Sequence, residues 1–255
     1  MLAQERQNHI VSMLEERGTV RTIDLATEFA VTDETIRRDL QTLAESNQLT
    51  RIHGGACSRS GRPRLQSFSE RSSLNIPNKQ AIAQAAMEWI HPGRTYAFDS
   101  STTAFALVSA LPDLPYRVVT NAFGVLQQLV SMQNVQVIST GGGYHPKTHT
   151  FVGNDSTETL RRHHIHTAFI SSIGFDLKRG ASEGFEEQAS YKERLLQYAE
   201  EVVLLIDSSK FQQRSEYYFA GIRDIDHIIT DSGISEALAR DIRSTGLILT
   251  IADKS

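Results

Sequence analysis

Thr32-Asp33-Glu34-Thr35-Ile36-Arg37-Arg38-Asp39-Leu40 reads as the start of a helix whose outer face carries arginine. Thr32 suits the N-cap, because its hydroxyl accepts a backbone N–H that the first turn leaves orphaned. Asp33 and Glu34 follow where the helix dipole favours negative charge. Ile36, Leu40, Leu43 and Ala44 repeat at helical spacing and mark the inward face. Arg38 and Gln41 fall on the opposite face, with Arg37 on its flank. Arginine so placed reads guanine bidentately or grips phosphates.

The flanking sequence supplies the frame for that helix. Ala3 to Arg17 has an amphipathic pattern, with Ile10, Val11, Met13 and Leu14 in its apolar stripe, and Gly18 closes it. Thr22 to Phe29 is a second, short helix, and Ala30-Val31 turns into the arginine-bearing one. Leu49 to Ala56 is an alternating strand pair broken by Gly54-Gly55, a wing. Helix, helix-turn-helix and wing together predict a winged helix-turn-helix that places its second motif helix in the major groove.

Arg6, the Val20-to-Phe29 segment, Thr35 to Leu40, Leu43 and Arg51-Ile52-His53-Gly54-Gly55-Ala56 resemble the DNA-binding domain of DeoR-family transcriptional regulators, correctly spaced throughout. The family usually has Ser where this chain has Thr32, and both residues cap. The candidate DNA-contacting set is Thr32, Glu34, Thr35, Arg37, Arg38, Gln41, Arg51 and His53.

At 255 residues, with 40% hydrophobic and 22% charged content, the chain has the composition of an ordinary globular protein of one or two domains. It lacks an apolar run long enough to span a bilayer and an N-terminal signal pattern. Its single cysteine, Cys57, excludes an internal disulfide and fits a reducing cytosol, so a cytoplasmic location is expected. The net charge of −4 is unevenly spread: residues 1–56 carry six Arg against nine Asp and Glu, whereas residues 57–79 carry four Arg and one Lys against one Glu. DNA affinity therefore rests on a few placed arginines, on duplication by oligomerisation and on a basic linker. Homodimers or larger homo-oligomers are the expected form. Residues 1–57 are assigned to the winged domain, 58–77 to the linker, closed by Pro77, and 78–255 to an effector-binding and oligomerisation domain.

From Asn78 onward, helical segments alternate with short apolar strands at Tyr96–Phe98, Tyr116–Thr120, Val135–Ser139, Ala168–Ile170, Val202–Ile206, His227–Ile229 and Leu247–Leu249. This alternation predicts an α/β domain with a mostly parallel sheet covered on both faces. Ligands bind such sheets in the crevice at the carboxyl ends of the strands. Five strand ends carry small polar residues or glycine: Asp99-Ser100-Ser101-Thr102-Thr103, Thr120-Asn121, Gly141-Gly142-Gly143, Ser171-Ser172-Ile173-Gly174 and Asp207-Ser208-Ser209-Lys210. Ser101 to Thr103 open a helix, where backbone N–H groups favour an anion. Lys210 adds a cation, and Asp99 accepts from hydroxyls. A phosphorylated polyol suits that rim.

The same region resembles the effector domain of the DeoR family, which is related to Rossmann-like, ribose-5-phosphate isomerase-like sugar-phosphate folds. Asp99 with Ser101 to Thr103, Thr120-Asn121, Gly141-Gly142, Phe151-Val152-Gly153, Gly174, Gly180 with Ser182, Lys192 and Asp207 to Phe211 carry the match. The family commonly has Gly at Ser101. It often has Glu before the helix carrying Lys192, where Glu187 and Gln188 are both candidates. The candidate effector-contacting set is Asp99, Ser100, Ser101, Thr102, Thr103, Thr120, Asn121, Gly141, Gly142, Ser172, Gly174, Glu187, Lys192, Asp207 and Lys210. Regulators of L-fucose and similar deoxyhexose operons share Asp99 to Thr103, Tyr191-Lys192 and Leu204 to Phe211 in kind.

Three further features read as structural. His163-His164-Ile165-His166 suits a surface helix end, and no metal or cofactor is expected. Glu183, Glu186 and Glu187 suit a solvated or rim-lining loop, and Tyr217-Tyr218-Phe219 a core or oligomer contact. The resulting expectation is a repressor of a sugar-utilisation operon that binds double-stranded operator DNA and responds to a phosphorylated sugar. The alternative is a sugar-phosphate isomerase with a fused DNA-binding module, which needs a carboxylate base and an electrophile at the sugar carbons. An unliganded architectural DNA protein leaves the polar strand ends unexplained.

Overall fold

The computed structural model describes residues 2–17, 19–52, 54–58 and 67–253, in two compact units, Met1–Gln66 and Ser67–Ser255. The first unit runs α1 (Ala3–Arg17), β1 (Thr19–Arg21), α2 (Thr22–Glu28), α3 (Asp33–Glu45), β2 (Leu49–Ile52) and β3 (Gly55–Ser58). Ile10, Leu14, Leu25, Ile36, Leu40, Leu43 and Leu49 form its core, so the helical spacing of apolar residues becomes one shared interior. The wing is one strand larger than its sequence suggests: β3 pairs antiparallel with β2 and also with β1. Gly55 permits this, because a Cβ there would lie 2.0 Å from the Val20 carbonyl oxygen.

Arg6 and Asp39 form a buried ion pair across the core, 2.6 Å from Nε to Oδ2, and Gln7 Nε2 donates to the other carboxylate oxygen at 2.9 Å. This pair fixes α1 against α3, and so sets the face that α3 turns outward.

The second unit opens with α4 (Phe68–Ser73) and α5 (Ile76–Ala86). Pro77 does not close a linker; it occupies the first turn of α5, where its missing N–H costs nothing. Then follow β4 (Thr95–Phe98), α6 (Thr102–Ala110), β5 (Arg117–Thr120), α7 (Phe123–Leu129), β6 (Gln136–Ser139), β7 (Gly143–His145), β8 (Thr150–Val152), α8 (Asn154–Leu160), β9 (Ile165–Ile170), β10 (Gly174–Asp176), β11 (Gly180–Glu183), α9 (Glu186–Tyr198), β12 (Ala199–Leu205), β13 (Tyr217–Ala220), β14 (His227–Asp231), α10 (Glu236–Ser244) and β15 (Ile248–Ala252). Seven strands make a parallel sheet in the order β15-β14-β12-β9-β4-β5-β6. The chain winds outward from β4 to β6, returns to β9 on the other side of β4, and winds outward again. That doubly wound order puts the topological switch point between β4 and β9.

Apolar clusters cover both faces. Ile82, Leu107, Val125 and Phe169 lie in one, and Leu160, Tyr191, Leu195 and Ile242 in the other. Two antiparallel additions are absent from the sequence reading. The β7–β8 hairpin follows β6, and β10, β11 and β13 form a separate small sheet in which Tyr217-Tyr218-Phe219 is a strand with Phe219 buried.

Two predictions follow from this packing. Asp39→Ala leaves the Arg6 guanidinium buried without its partner, and should cost the first unit about 3–5 kcal/mol. Replacing both residues by apolar side chains of similar volume should cost far less. Denaturation monitored by circular dichroism checks the pair; equal losses would show that the ion pair is not the cause.

The second concerns acid. Burial holds the His227 imidazole below its ordinary value, with Glu201 opposing. The unfolded chain then binds the proton more readily, so this contribution is complete above about pH 6.5 and is lost as pH falls below it. The ring of Trp89, the single tryptophan, lies 4.7 Å from that of His227 and reports the transition by fluorescence. His227→Gln should flatten the pH dependence of the urea midpoint. An unchanged slope would assign the acid sensitivity to other groups.

Candidate functional site

Helix α3 begins as its sequence indicates. The Thr32 hydroxyl accepts from Thr35 N at 3.3 Å and lies 2.9 Å from the Thr35 hydroxyl. Ile36, Leu40 and Leu43 are buried, while Thr32, Glu34, Arg37, Arg38 and Gln41 are exposed and Thr35 is half-buried. Arg38 is 81% exposed and makes a loose pair with Glu34 at 3.6 Å, a contact of little energetic weight that a base or phosphate readily replaces. Gln41 donates to Glu45 at 2.9 Å on the same face. From the wing, Arg51 reaches back to donate to the Arg37 carbonyl at 3.2 Å, which ties β2 to the recognition helix. His53 lies outside the described residues, as do Arg59, Arg62 and Arg64 of the basic stretch.

In the second unit, the five polar strand ends belong to β6, β5, β4, β9 and β12, which are contiguous in the parallel sheet and so share one edge. The switch point is closed by a buried charge cluster. Asp99 Oδ1 accepts from Ser101 N at 2.9 Å, and Oδ2 accepts from Ser171 N at 2.8 Å, which bridges the ends of β4 and β9. Lys192 Nζ lies 2.9 Å from Asp99 Oδ2, donates to the Ser171 carbonyl at 2.6 Å and donates to Glu183 Oε1. Although burial alone would depress it, the carboxylates of Asp99 and Glu183 raise the Lys192 pKa, so this ammonium is firmly charged. Its three donors are committed to protein groups.

Next to this cluster opens a cavity of about 240 Å³, lined by Phe68, Asp99, Ser100, Ser101, Phe105, Ala122, Phe123, Gly124, Val125, Gln127, Thr148 and His149. Its polar floor is Asp99, Ser100 and Ser101, which lead into α6. Ser101 is the N-cap, with its hydroxyl accepting from Ala104 N at 3.1 Å while its own proton stays free to donate. The N–H groups of Thr102 and Thr103, in the first turn, have no intrahelical acceptor. Lys192 is shared between Asp99 and Glu183, so it offsets part of the charge that the Asp99 carboxylate presents to the cavity. A relay of side chains runs behind the floor. Ser100 Oγ donates to Gln188 Oε1 at 2.9 Å, Gln188 Nε2 donates to the Thr150 hydroxyl at 2.7 Å, and the Thr150 and Thr148 hydroxyls are 2.7 Å apart.

The structure gathers Asp99, Ser100 and Ser101 at the cavity and distributes the other candidates around it. Thr102 and Thr103 are buried in the first turn of α6. Thr120 donates to the Phe98 carbonyl at 2.7 Å and accepts from Ala122 N at 3.0 Å, fixing the entry to α7. Asn121 Nδ2 donates to the Phe151 carbonyl at 3.2 Å, and its Oδ1, like the Ser172 hydroxyl, is buried without a hydrogen-bond partner among the described residues. Gly141 and Gly142 take positive φ; a Cβ at Gly142 would lie 2.4 Å from the Val152 carbonyl oxygen, so this glycine seats the hairpin. At Gly174 a Cβ would meet the Gln213 carbonyl oxygen at 2.5 Å, which marks a packing role. Asp207 accepts from Asn75 Nδ2 and from Ser209 N, both at 3.1 Å, and Lys210 ends the same turn, half-buried. Glu187 is exposed, whereas Gln188 is the buried member of that neighbouring pair.

Two sequence readings change. Glu183 is a buried strand residue paired with Lys192, not part of a solvated loop, although Glu186 and Glu187 are exposed. The histidine run enters strand β9 rather than ending a helix. There His164, His166 and Glu200 bring ligand atoms within 4.8 Å of one another. Thr95 N donates to His166 Nδ1 at 3.0 Å, which takes that nitrogen's lone pair and places the ring proton on Nε2. Phe68, Phe105, Phe123, Thr148 and His149 were missed as cavity residues, since nothing local distinguishes them from core or loop positions.

Residues 6–62 match the DeoR-like helix-turn-helix domain and residues 74–232 the DeoR C terminal sensor domain. The chain is 36% identical over 250 residues to the uncharacterized HTH-type transcriptional regulator YulB of Bacillus subtilis, covering 98% of this chain and 97% of that one. It is 34% identical to the L-fucose operon activator of Haemophilus influenzae, covering 92% and 94%, and 30% identical to the putative aga operon transcriptional repressor of Escherichia coli O157:H7, covering 95% and 91%. Among solved structures it is similar to ribose 5-phosphate isomerase A from Methanocaldococcus jannaschii, with 14% identity, a TM-score of 0.40 and coverage of 52% and 53%. No helix among the described residues is long and apolar enough to cross a membrane. A winged helix-turn-helix with an exposed arginine face, followed by a doubly wound sensor fold matched along most of its length, places the chain in the DeoR family of DNA-binding transcriptional regulators.

Proposed function

We propose that this regulator represses a sugar-utilisation operon and is controlled by a phosphorylated sugar bound at the carboxyl edge of the sensor sheet. The observation that carries the reading is the cavity beside the start of α6, lined by Ser100 and by the N-cap residue Ser101. Relatives named for an L-fucose operon and an aga operon support a sugar as the controlling molecule. Asp99 is the carboxylate among the cavity residues, and both its oxygens are committed to backbone N–H groups and Lys192. A base so engaged suits a sensor better than an isomerase. The protein acts in the cytoplasm as a homodimer or larger homo-oligomer, with the first unit reading DNA and the second, from Ser67 onward, sensing. Two winged domains held together raise the effective concentration of the second half-site, which compensates for an acidic DNA-binding unit.

On this reading, Arg38 meets a base edge and Arg37 a phosphate, with Thr32, Glu34, Thr35, Gln41, Arg51 and His53 completing the contact surface. Arg38→Ala should weaken operator binding by about 1–3 kcal/mol per half-site. A mobility-shift titration at fixed salt measures it, and unchanged affinity would remove Arg38 from the interface. At the sensor, a sugar phosphate should bind much more tightly than its unphosphorylated form, because the free sugar leaves the anion donors of α6 unpaired. Calorimetry with both forms decides the point; equal affinities would sink the phosphate assignment.

A further inference from the structure

The cavity has two unlike halves. Asp99, Ser100 and Ser101 make the polar floor, and Phe68, Phe105 and Phe123 make an aromatic wall. A phosphate needs the floor alone. A sugar carries apolar C–H faces besides its hydroxyls, and aromatic rings bury those faces favourably. We propose that Phe68 contacts the carbon face of a bound sugar monophosphate and thereby makes the placement of α4 depend on the ligand. This rests on the reading of the cavity as a sugar-phosphate site.

The setting of α4 gives the contact its consequence. With six residues, the helix is too short to be stable alone, and none of its residues is buried. Its start is held by a capping box between Ser67 and Glu70, and its end by Lys79 Nζ, which donates to the Leu74 carbonyl at 2.7 Å and to the Arg71 carbonyl. Between these ends, Phe68 docks on the sensor unit, its ring edge-on to Phe105 at 5.6 Å and 6.3 Å from that of His149. Phe105 lies on α6, the helix whose N-cap Ser101 belongs to the polar floor. One ligand therefore touches the floor through its phosphate and α4 through its carbon face. Asn75, at φ 51, follows α4 as a left-handed joint before α5.

The test uses the full chain, wild type, Phe68→Ala and Phe68→Leu, titrated calorimetrically with inorganic phosphate, D-fructose 1-phosphate and D-glucose 6-phosphate. Inorganic phosphate should bind all three proteins alike. The tighter sugar phosphate should lose roughly tenfold in affinity in Phe68→Ala and less in Phe68→Leu. In wild type, it should slow amide exchange over residues 67–75, whereas inorganic phosphate should not. Equal sugar-phosphate affinity in wild type and Phe68→Ala, or exchange over 67–75 that the sugar phosphate leaves unchanged, overturns the inference. If both sugar phosphates bind wild type no more tightly than inorganic phosphate, the sugar-phosphate reading itself fails, and the role of Phe68 with it. Should Phe68→Ala fail to fold, Phe68→Leu and the wild-type exchange data carry the decision.

Discussion

The charge cluster of Asp99, Lys192 and Glu183 ties together the strand ends at the switch point of the sensor sheet. A doubly wound sheet parts at its switch point, where the connections leave β4 and β9 in opposite directions, and this is where a crevice forms. Asp99 spans that parting by accepting from the backbone of both strands' following turns, and Lys192 makes the buried carboxylate tolerable. A lone buried carboxylate would be costly, and the same carboxylate with one ammonium and two N–H donors is not. The cluster thus pins the turns that follow β4 and β9 to one another. Lys192 spends its donors on Asp99, Glu183 and the Ser171 carbonyl, so in this structure its role is to hold those groups together.

How much of this was readable depended on how local the determinants are. The recognition helix was legible because its cap, its acidic first turn and its apolar spacing all lie within Thr32 to Ala44. The parallel strands were legible because each is a short apolar run ending in polar residues. Strand β1 was not, since three residues such as Thr19 to Arg21 have no periodicity, and their pairing exists because Gly55 admits the Val20 carbonyl. The small antiparallel sheet escaped for the same reason; β11 finds β13 far along the chain.

The candidate site was legible as an edge but not as a cavity. Neighbouring helix residues point about 100° apart, so Glu187 and Gln188 need not share a face, and no local rule names which of them turns inward. The structure turns Gln188 inward because its amide can both donate to Thr150 and accept from Ser100, which a carboxylate cannot do. Glu183 looked solvated because its partner, Lys192, sits on a different element. Phe68 fell in a polar stretch whose docking on Phe105 depends on tertiary structure alone.

The position of β4 in the sheet has a consequence for synthesis on the ribosome. The DNA-binding unit closes its apolar core with Ala56, before any residue of the sensor unit is made. The sensor sheet starts from its middle: β4 is the first strand made, yet its neighbour β9 and the helix carrying Lys192 come some 70 to 100 residues later. Until that stretch has emerged, Asp99 has no ammonium beside it and the crevice cannot form. The nascent chain therefore acquires its DNA-reading surface well before the part that senses a ligand, and the long delay falls in a segment of exposed apolar strands that must await their partners.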